Sequence, residues 1–184
     1  TTTGYGFYGS GDLTGVTATG TSFGGGMTTA AMSTSYGVRL AMCSGAPTWA
    51  SSNTNGGFPG SVSGTTRTAF STSGAACAPA IDGGQHIGCE LGVNCYGVDC
   101  DGGSQCVVRN AATVRATAGT ADVAVAMRCR TGACASITGS TFTTGPLTRS
   151  GPTGIGMELD GASPSVDDNT ITGPNGGLVA VAGS

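Results

Sequence analysis

Gly156-Met157-Glu158-Leu159 decides the fold, because five earlier stretches follow the same plan. Each sets a small residue, an apolar residue, an outward-type residue and a core-type residue in that order. The earlier copies are Gly6-Phe7-Tyr8-Gly9, Gly37-Val38-Arg39-Leu40, Ala69-Phe70-Ser71-Thr72, Gly97-Val98-Asp99-Cys100 and Ala126-Met127-Arg128-Cys129. Successive copies start 31, 32, 28, 29 and 30 residues apart. A period in that range is the mark of a repeat architecture.

A second column keeps the same period. An apolar anchor is followed five residues later by another inward-type position. The clear copies run from Ala18 to Phe23, Ile137 to Phe142 and Val166 to Ile171; the weaker ones run from Trp49 to Thr54, Ile81 to His86 and Val107 to Ala112. The segments are strand-sized and punctuated by Gly, Ser, Thr, Asn and Pro. None shows the i, i+3, i+4, i+7 spacing of a helix. Lys is absent and Glu occurs only at 90 and 158, while Thr, Ser and Val suit pleated strands. Repeats near 30 residues with two or three short strands fit the rungs of a parallel β-solenoid. The expectation is an all-β single domain over 1–184, with about six rungs near 5–35, 36–67, 68–95, 96–124, 125–153 and 154–184.

The segment 154–173, Gly-Ile-Gly-Met-Glu-Leu-Asp-Gly-Ala-Ser-Pro-Ser-Val-Asp-Asp-Asn-Thr-Ile-Thr-Gly, resembles the rung of right-handed parallel β-helix proteins. It is similar to rungs in secreted bacterial surface proteins related to the pectate-lyase-like fold. The resemblance implies a right-handed β-helix and an extracellular setting. It carries no catalytic motif.

Strand alternation assigns the faces. Val98, Cys100 and Gly102 face in, so Asp99 and Asp101 face out. By the same logic Arg128 and Arg130 flank inward Cys129, and Glu158 and Asp160 flank inward Leu159. Rungs stack about 4.8 Å apart. Rung four is then acidic at both outward positions, rung five basic and rung six acidic. Opposite charges across neighbouring strands hold register by roughly 0.2–1 kcal/mol a pair.

Net charge is −3 and only 9% of residues are charged. The seven arginines are scattered, so no basic patch points to nucleic acid. No run of 18 apolar residues points to a membrane span. Eight cysteines in so polar a chain indicate an oxidising, extracellular or cell-surface compartment. Their spacing allows loops within rungs (Cys89 with Cys95, Cys100 with Cys106, Cys129 with Cys134), leaving Cys43 and Cys77 as a pair between rungs. Bonds between stacked neighbours, such as Cys100 with Cys129, are the rival scheme. With no Cys-x-x-Cys and one histidine, no metal or other cofactor is expected.

Three function classes follow. In a polysaccharide hydrolase or lyase, Asp99 and Asp101 would stand roughly 7 Å apart along one strand, near the separation of an inverting glycosidase pair. Arg128, Arg130 and Glu158 would flank them. Neutralising arginines work against a general acid, which needs a raised pKa. His86 falls in the inward column of Phe23, Phe142 and Ile171 and reads as a structural histidine. An ice-binding ladder of threonines (19, 21, 138, 170, 172) is broken where Asp82, Gly84, Val108 and Asn110 intervene. The favoured class is a structural or adhesive solenoid whose partner is a cell-surface glycan or a second copy, stacked end to end into a filament. Tyr5 and Phe7 at one end and Leu178, Val179 and Val181 at the other are the assembly candidates, since an open solenoid end is an unpaired edge.

Overall fold

The structure, a computed structural model, describes residues 2–25, 32–56, 66–88, 94–111, 113–116, 123–145 and 153–181. Each rung carries one long strand followed by two short ones. The first holds β1 (Thr2–Asp12), β2 (Thr17–Thr19) and β3 (Ser22–Gly24); the second, β4 (Met32–Ser44), β5 (Thr48–Ala50) and β6 (Asn53–Asn55). The third holds β7 (Thr66–Ser73), β8 (Ala80–Asp82) and β9 (Gln85–Ile87); the fourth, β10 (Asn94–Asp101), β11 (Val107–Arg109) and β12 (Thr113–Ala116). The fifth holds β13 (Val123–Arg130), β14 (Ser136–Thr138) and β15 (Thr141–Thr144). The sixth holds β16 (Thr153–Asp160), β17 (Ser165–Asp167) and β18 (Thr170–Thr172), and β19 (Gly176–Val181) follows.

Like strands stack on like. The first sheet runs β1-β4-β7-β10-β13-β16-β19, the second β2 to β17 and the third β3 to β18, parallel throughout. The chain is an all-β parallel solenoid of about five turns carrying six rungs. Phe7, Val38, Phe70, Val98, Met127 and Met157 form one register column, the opening repeat seen in space.

The core is a single column inside the three sheets. Trp49 lies edge-on to Phe70 at 5.1 Å and to Phe7 at 5.9 Å between ring centroids, and Phe7 meets Phe23 at 5.8 Å. Further along, Ile81, Val108, Ile137, Met127, Met157 and Phe142 are fully buried. Burying side chains of this size contributes roughly 1.5–3 kcal/mol each.

The small residue that opens each copy turns a corner. Gly37 and Val38 are both buried, whereas Tyr36 and Arg39 on either side are half-buried. Two consecutive inward residues break strict alternation. A Cβ on Gly37 would lie 2.6 Å from the Ala69 carbonyl oxygen and 2.8 Å from both N and O of Asn55. The first strand therefore bends against the third-strand backbone, and the position takes only glycine or alanine.

Three assignments shift by local detail. In rung four the second-strand anchor is Val108, not Val107: Val108 pairs with Ile81 and Ile137 and is fully buried. The inward position that follows is Val114, which pairs with His86 and Phe142; Ala112 lies outside the described residues. Gly102 does not face in, because β10 ends at Asp101 and Gly102 sits exposed in a turn at φ +59°.

Candidate functional site

The outer face of the first sheet carries the charged columns. Ser71, Asp99, Arg128 and Glu158 are successive register partners, and Arg130 pairs with Asp160. Outward does not mean exposed here. Asp99 is 7% exposed, because two arginines fold over it. Arg128 donates from Nε to Oδ1 at 2.9 Å and from Nη2 to Oδ2 at 3.0 Å, while Arg130 Nη2 reaches Asp99 Oδ2 at 3.3 Å and Asp101 Oδ2 at 2.9 Å. The Arg128 guanidinium also stacks on the Tyr96 ring, 3.8 Å from its centroid. Burial opposes the charge on Arg128, but the hydrogen bond and charge of Asp99 outweigh it and raise the pKa.

These contacts tie Asp99 into an ion-pair cluster with two arginines. Both Asp99 oxygens accept from guanidinium nitrogens, Oδ1 once and Oδ2 twice. Asp99 and Asp101 converge on one nitrogen of Arg130 instead of standing apart across a substrate. Among the described residues the ion pairs of this face join rungs four and five, and Glu158 stays outside them.

Nearer the first rung the same face is aromatic. Tyr5 stacks on Tyr36 at 5.6 Å with planes 8° apart and meets Tyr8 edge-on at 5.1 Å. Arg39 lies over Tyr36 and donates to Ser71 Oγ and, at 3.4 Å, to Ser73 Oγ. Burial raises the Tyr36 pKa. Tyr5 and Tyr8 remain 44% and 49% exposed.

His86 is wholly buried in the third sheet. Its Nδ1 lies 2.8 Å from Thr54 Oγ1 and its Nε2 3.2 Å from the Gly83 carbonyl. Burial pushes its pKa down to about 4. With both ring nitrogens engaged inside the core, it is a structural residue. On the second sheet, Asn110 and Arg109 hydrogen-bond the Asp82 carboxylate and hold its pKa below the usual range. The second-sheet column reads Thr19, Ala50, Asp82, Arg109, Thr138, Asp167. No flat threonine ladder forms there, and the residue at rung four is Arg109 rather than Val108.

The cysteines join Cys43 to Cys77, Cys100 to Cys106 and Cys129 to Cys134. Cys95 is also disulfide-bonded, and Cys89 lies outside the described residues. The first bond ties rungs two and three; the other two close turns at the end of β10 and of β13.

Leu178 is 52% exposed, Val181 43% and Val166 36%, and Val179 is half-buried. The tail strand β19 pairs with β16 of its own chain, Leu178 opposite Met157 and Val181 opposite Asp160. Its other edge has no strand on it among the described residues. Phe7, by contrast, packs into the core of its own rung. Among the described residues no helix is long and apolar enough to cross a membrane. Comparison with protein-family models, curated proteins and solved structures finds no match.

Proposed function

We propose that this chain is an extracellular structural solenoid that associates through its ends, the outer edge of β19 in one copy receiving β1 of the next. The observation that carries the reading is the apolar, uncharged edge strand Gly176–Val181, with Leu178 and Val181 exposed. Monomeric proteins protect such edges with charge, proline or a covering element. Parallel pairing that continues the register columns sets Phe7 against Leu178, Tyr8 against Val179 and Gly9 against Ala180. Buried disulfides and the likeness of 154–173 to secreted surface proteins support the extracellular setting.

The test is sedimentation of the purified chain over a concentration series, with electron microscopy of the same samples. The expected result is species larger than a monomer, lost in Leu178→Lys/Val181→Lys with circular dichroism unchanged. A parent chain that stays monomeric at every concentration, or a variant that associates equally well, overturns the reading.

The exposed rings of Tyr5 and Tyr8 beside Arg39 favour a second reading, a glycan-binding face. Aromatic rings with one polar tip suit sugar stacking. Binding to a glycan array that is lost in Tyr5→Ala/Tyr8→Ala but survives in Leu178→Lys/Val181→Lys separates this reading from self-association.

A further inference from the structure

Cys100 and Cys129 are register partners on β10 and β13, both pointing into the core and fully buried. The turns after these strands bring Cys106 and Cys134 to the same place. The turns are knitted together by backbone bonds: Cys134 N–H donates to the Ser104 carbonyl at 2.8 Å, and Ala135 N–H to the Cys106 carbonyl at 2.8 Å. The sulfurs of Cys100, Cys106 and Cys134 all lie within 4.8 Å of one another, and Cys129 is bonded to Cys134. Three sulfurs from two different disulfides thus form one buried cluster, and Cys129 adjoins it through its bond to Cys134.

We infer that these four cysteines have a second closed state: when reduced, they hold a soft divalent metal of the zinc class as a tetrathiolate. Zinc–sulfur bonds of about 2.3 Å in a tetrahedron place the sulfurs about 3.8 Å apart. Three of the sulfurs already lie within 4.8 Å of one another, and reduction of the Cys100–Cys106 bond lets that pair open to this spacing. The separations along the chain, Cys-x5-Cys and Cys-x4-Cys, conceal this, because the proximity arises across stacked rungs. Ser104 Oγ, 3.7 Å from Cys106 Sγ, is placed to orient a ligand sulfur.

The chemistry balances with a thiol or phosphine reductant. Reductant supplies four electrons, and four protons enter from solvent, converting two disulfides to four thiols. The metal ion then displaces thiol protons as it binds. In the oxidised chain the same sulfurs are bonded to one another and offer no thiolate. The approach route is the turn Thr131–Cys134, where Thr131 and Gly132 are exposed and Thr131, Gly132 and Cys134 all have positive φ.

The probe is Co2+ titrated into the full chain, reduced with a phosphine under anaerobic conditions. The expected signature is thiolate-to-cobalt charge transfer with the visible bands of tetrahedral cobalt, at one ion per chain, displaced by Zn2+. Cys106→Ser and Cys134→Ser should each weaken binding at least about tenfold, while Cys43→Ser/Cys77→Ser retains it. The oxidised chain should give no signal. A melting curve of the reduced chain covers loss of structure: Zn2+ should raise its midpoint, and a chelator reverse the shift. Absence of the cobalt bands, bands that persist in both single variants, an equal signal from the oxidised chain, or a midpoint indifferent to zinc each overturns the inference.

Discussion

Arg128 grips Asp99 with two parallel hydrogen bonds, 2.9 Å and 3.0 Å, across the step from rung four to rung five. Their side chains are 16% and 10% exposed, so the pair is desolvated and neither charge is screened by water. Removing one partner of such a pair typically costs about 3–5 kcal/mol, because the other is left buried and charged. Asp99→Asn is therefore expected to lower unfolding free energy by several kcal/mol, and Glu158→Gln by less than about 0.5 kcal/mol. Denaturant titration of both variants checks this; equal effects would sink the account of the cluster.

His86 carries the pH dependence. Its pKa is pushed down to about 4 by burial, against about 6.5 in an unfolded chain. As pH falls the unfolded chain therefore binds the proton first, and the native state loses ground. The full benefit is present above about pH 6.5 and is lost toward about pH 4, a difference of up to about 3 kcal/mol. His86→Gln should flatten that part of the stability curve. Unfolding free energies measured at neutral pH and near the lower limit, in both proteins, make the comparison. Parallel curves would show that some other group is responsible.

The corner column sets a steric rule. Gly37→Ala places its new Cβ against Ala69 O and the Asn55 backbone, and overpacking of this kind costs about 1–3 kcal/mol. Ala69 and Ala126 hold alanine at equivalent corners and are fully buried. The reverse change, Ala69→Gly, should cost about 1 kcal/mol or less. Thermal melts of the two variants decide it, and a neutral Gly37→Ala would contradict the described corner.

The disulfides differ in the loops they close. Cys43 and Cys77 are 34 residues apart, Cys129 and Cys134 only 5. On chain-entropy grounds the first contributes roughly 4 kcal/mol and the second roughly 2 kcal/mol. Cys43→Ser/Cys77→Ser should therefore melt lower than Cys129→Ser/Cys134→Ser. The opposite order would place their effect in the folded state.

Buried Arg67 is expected to be a liability. It is 4% exposed, its Nε and Nη1 have no hydrogen-bond partner among the described residues, and burial lowers its pKa. Arg67→Met keeps the apolar stem without the charge and should leave stability unchanged or raise it. A large loss on calorimetry would mean that the guanidinium is compensated.

The repeat was legible because its columns are chemical as well as periodic. A small corner residue, an apolar residue and a core residue recur where three sheets need them. The second-strand anchor in rung four was not legible to one residue, since Val107 and Val108 are chemically identical and only the pairing of Val108 with Ile81 and Ile137 separates them. The alternation of charge at Asp99, Arg128 and Glu158 showed which columns complement each other. It did not show that both arginines turn toward rung four and close over Asp99, because long flexible side chains choose between equivalent neighbours by packing. The sulfur cluster was legible only in part: the columns stack Cys100 on Cys129, but the turns that bring Cys106 and Cys134 together are not written in the spacing along the chain.

In the first sheet β19 lies one level beyond β16, whereas the second and third sheets stop at β17 and β18. The described strands therefore finish in a spiral step rather than a flat face. A neighbour whose β1 seats on β19 would be joined through one wall of three, with a slot two short strands wide left beside Val166 and Ile171. Such a joint behaves as a hinge. A string of these molecules would bend at every junction while each link stayed stiff, as a watch-chain does.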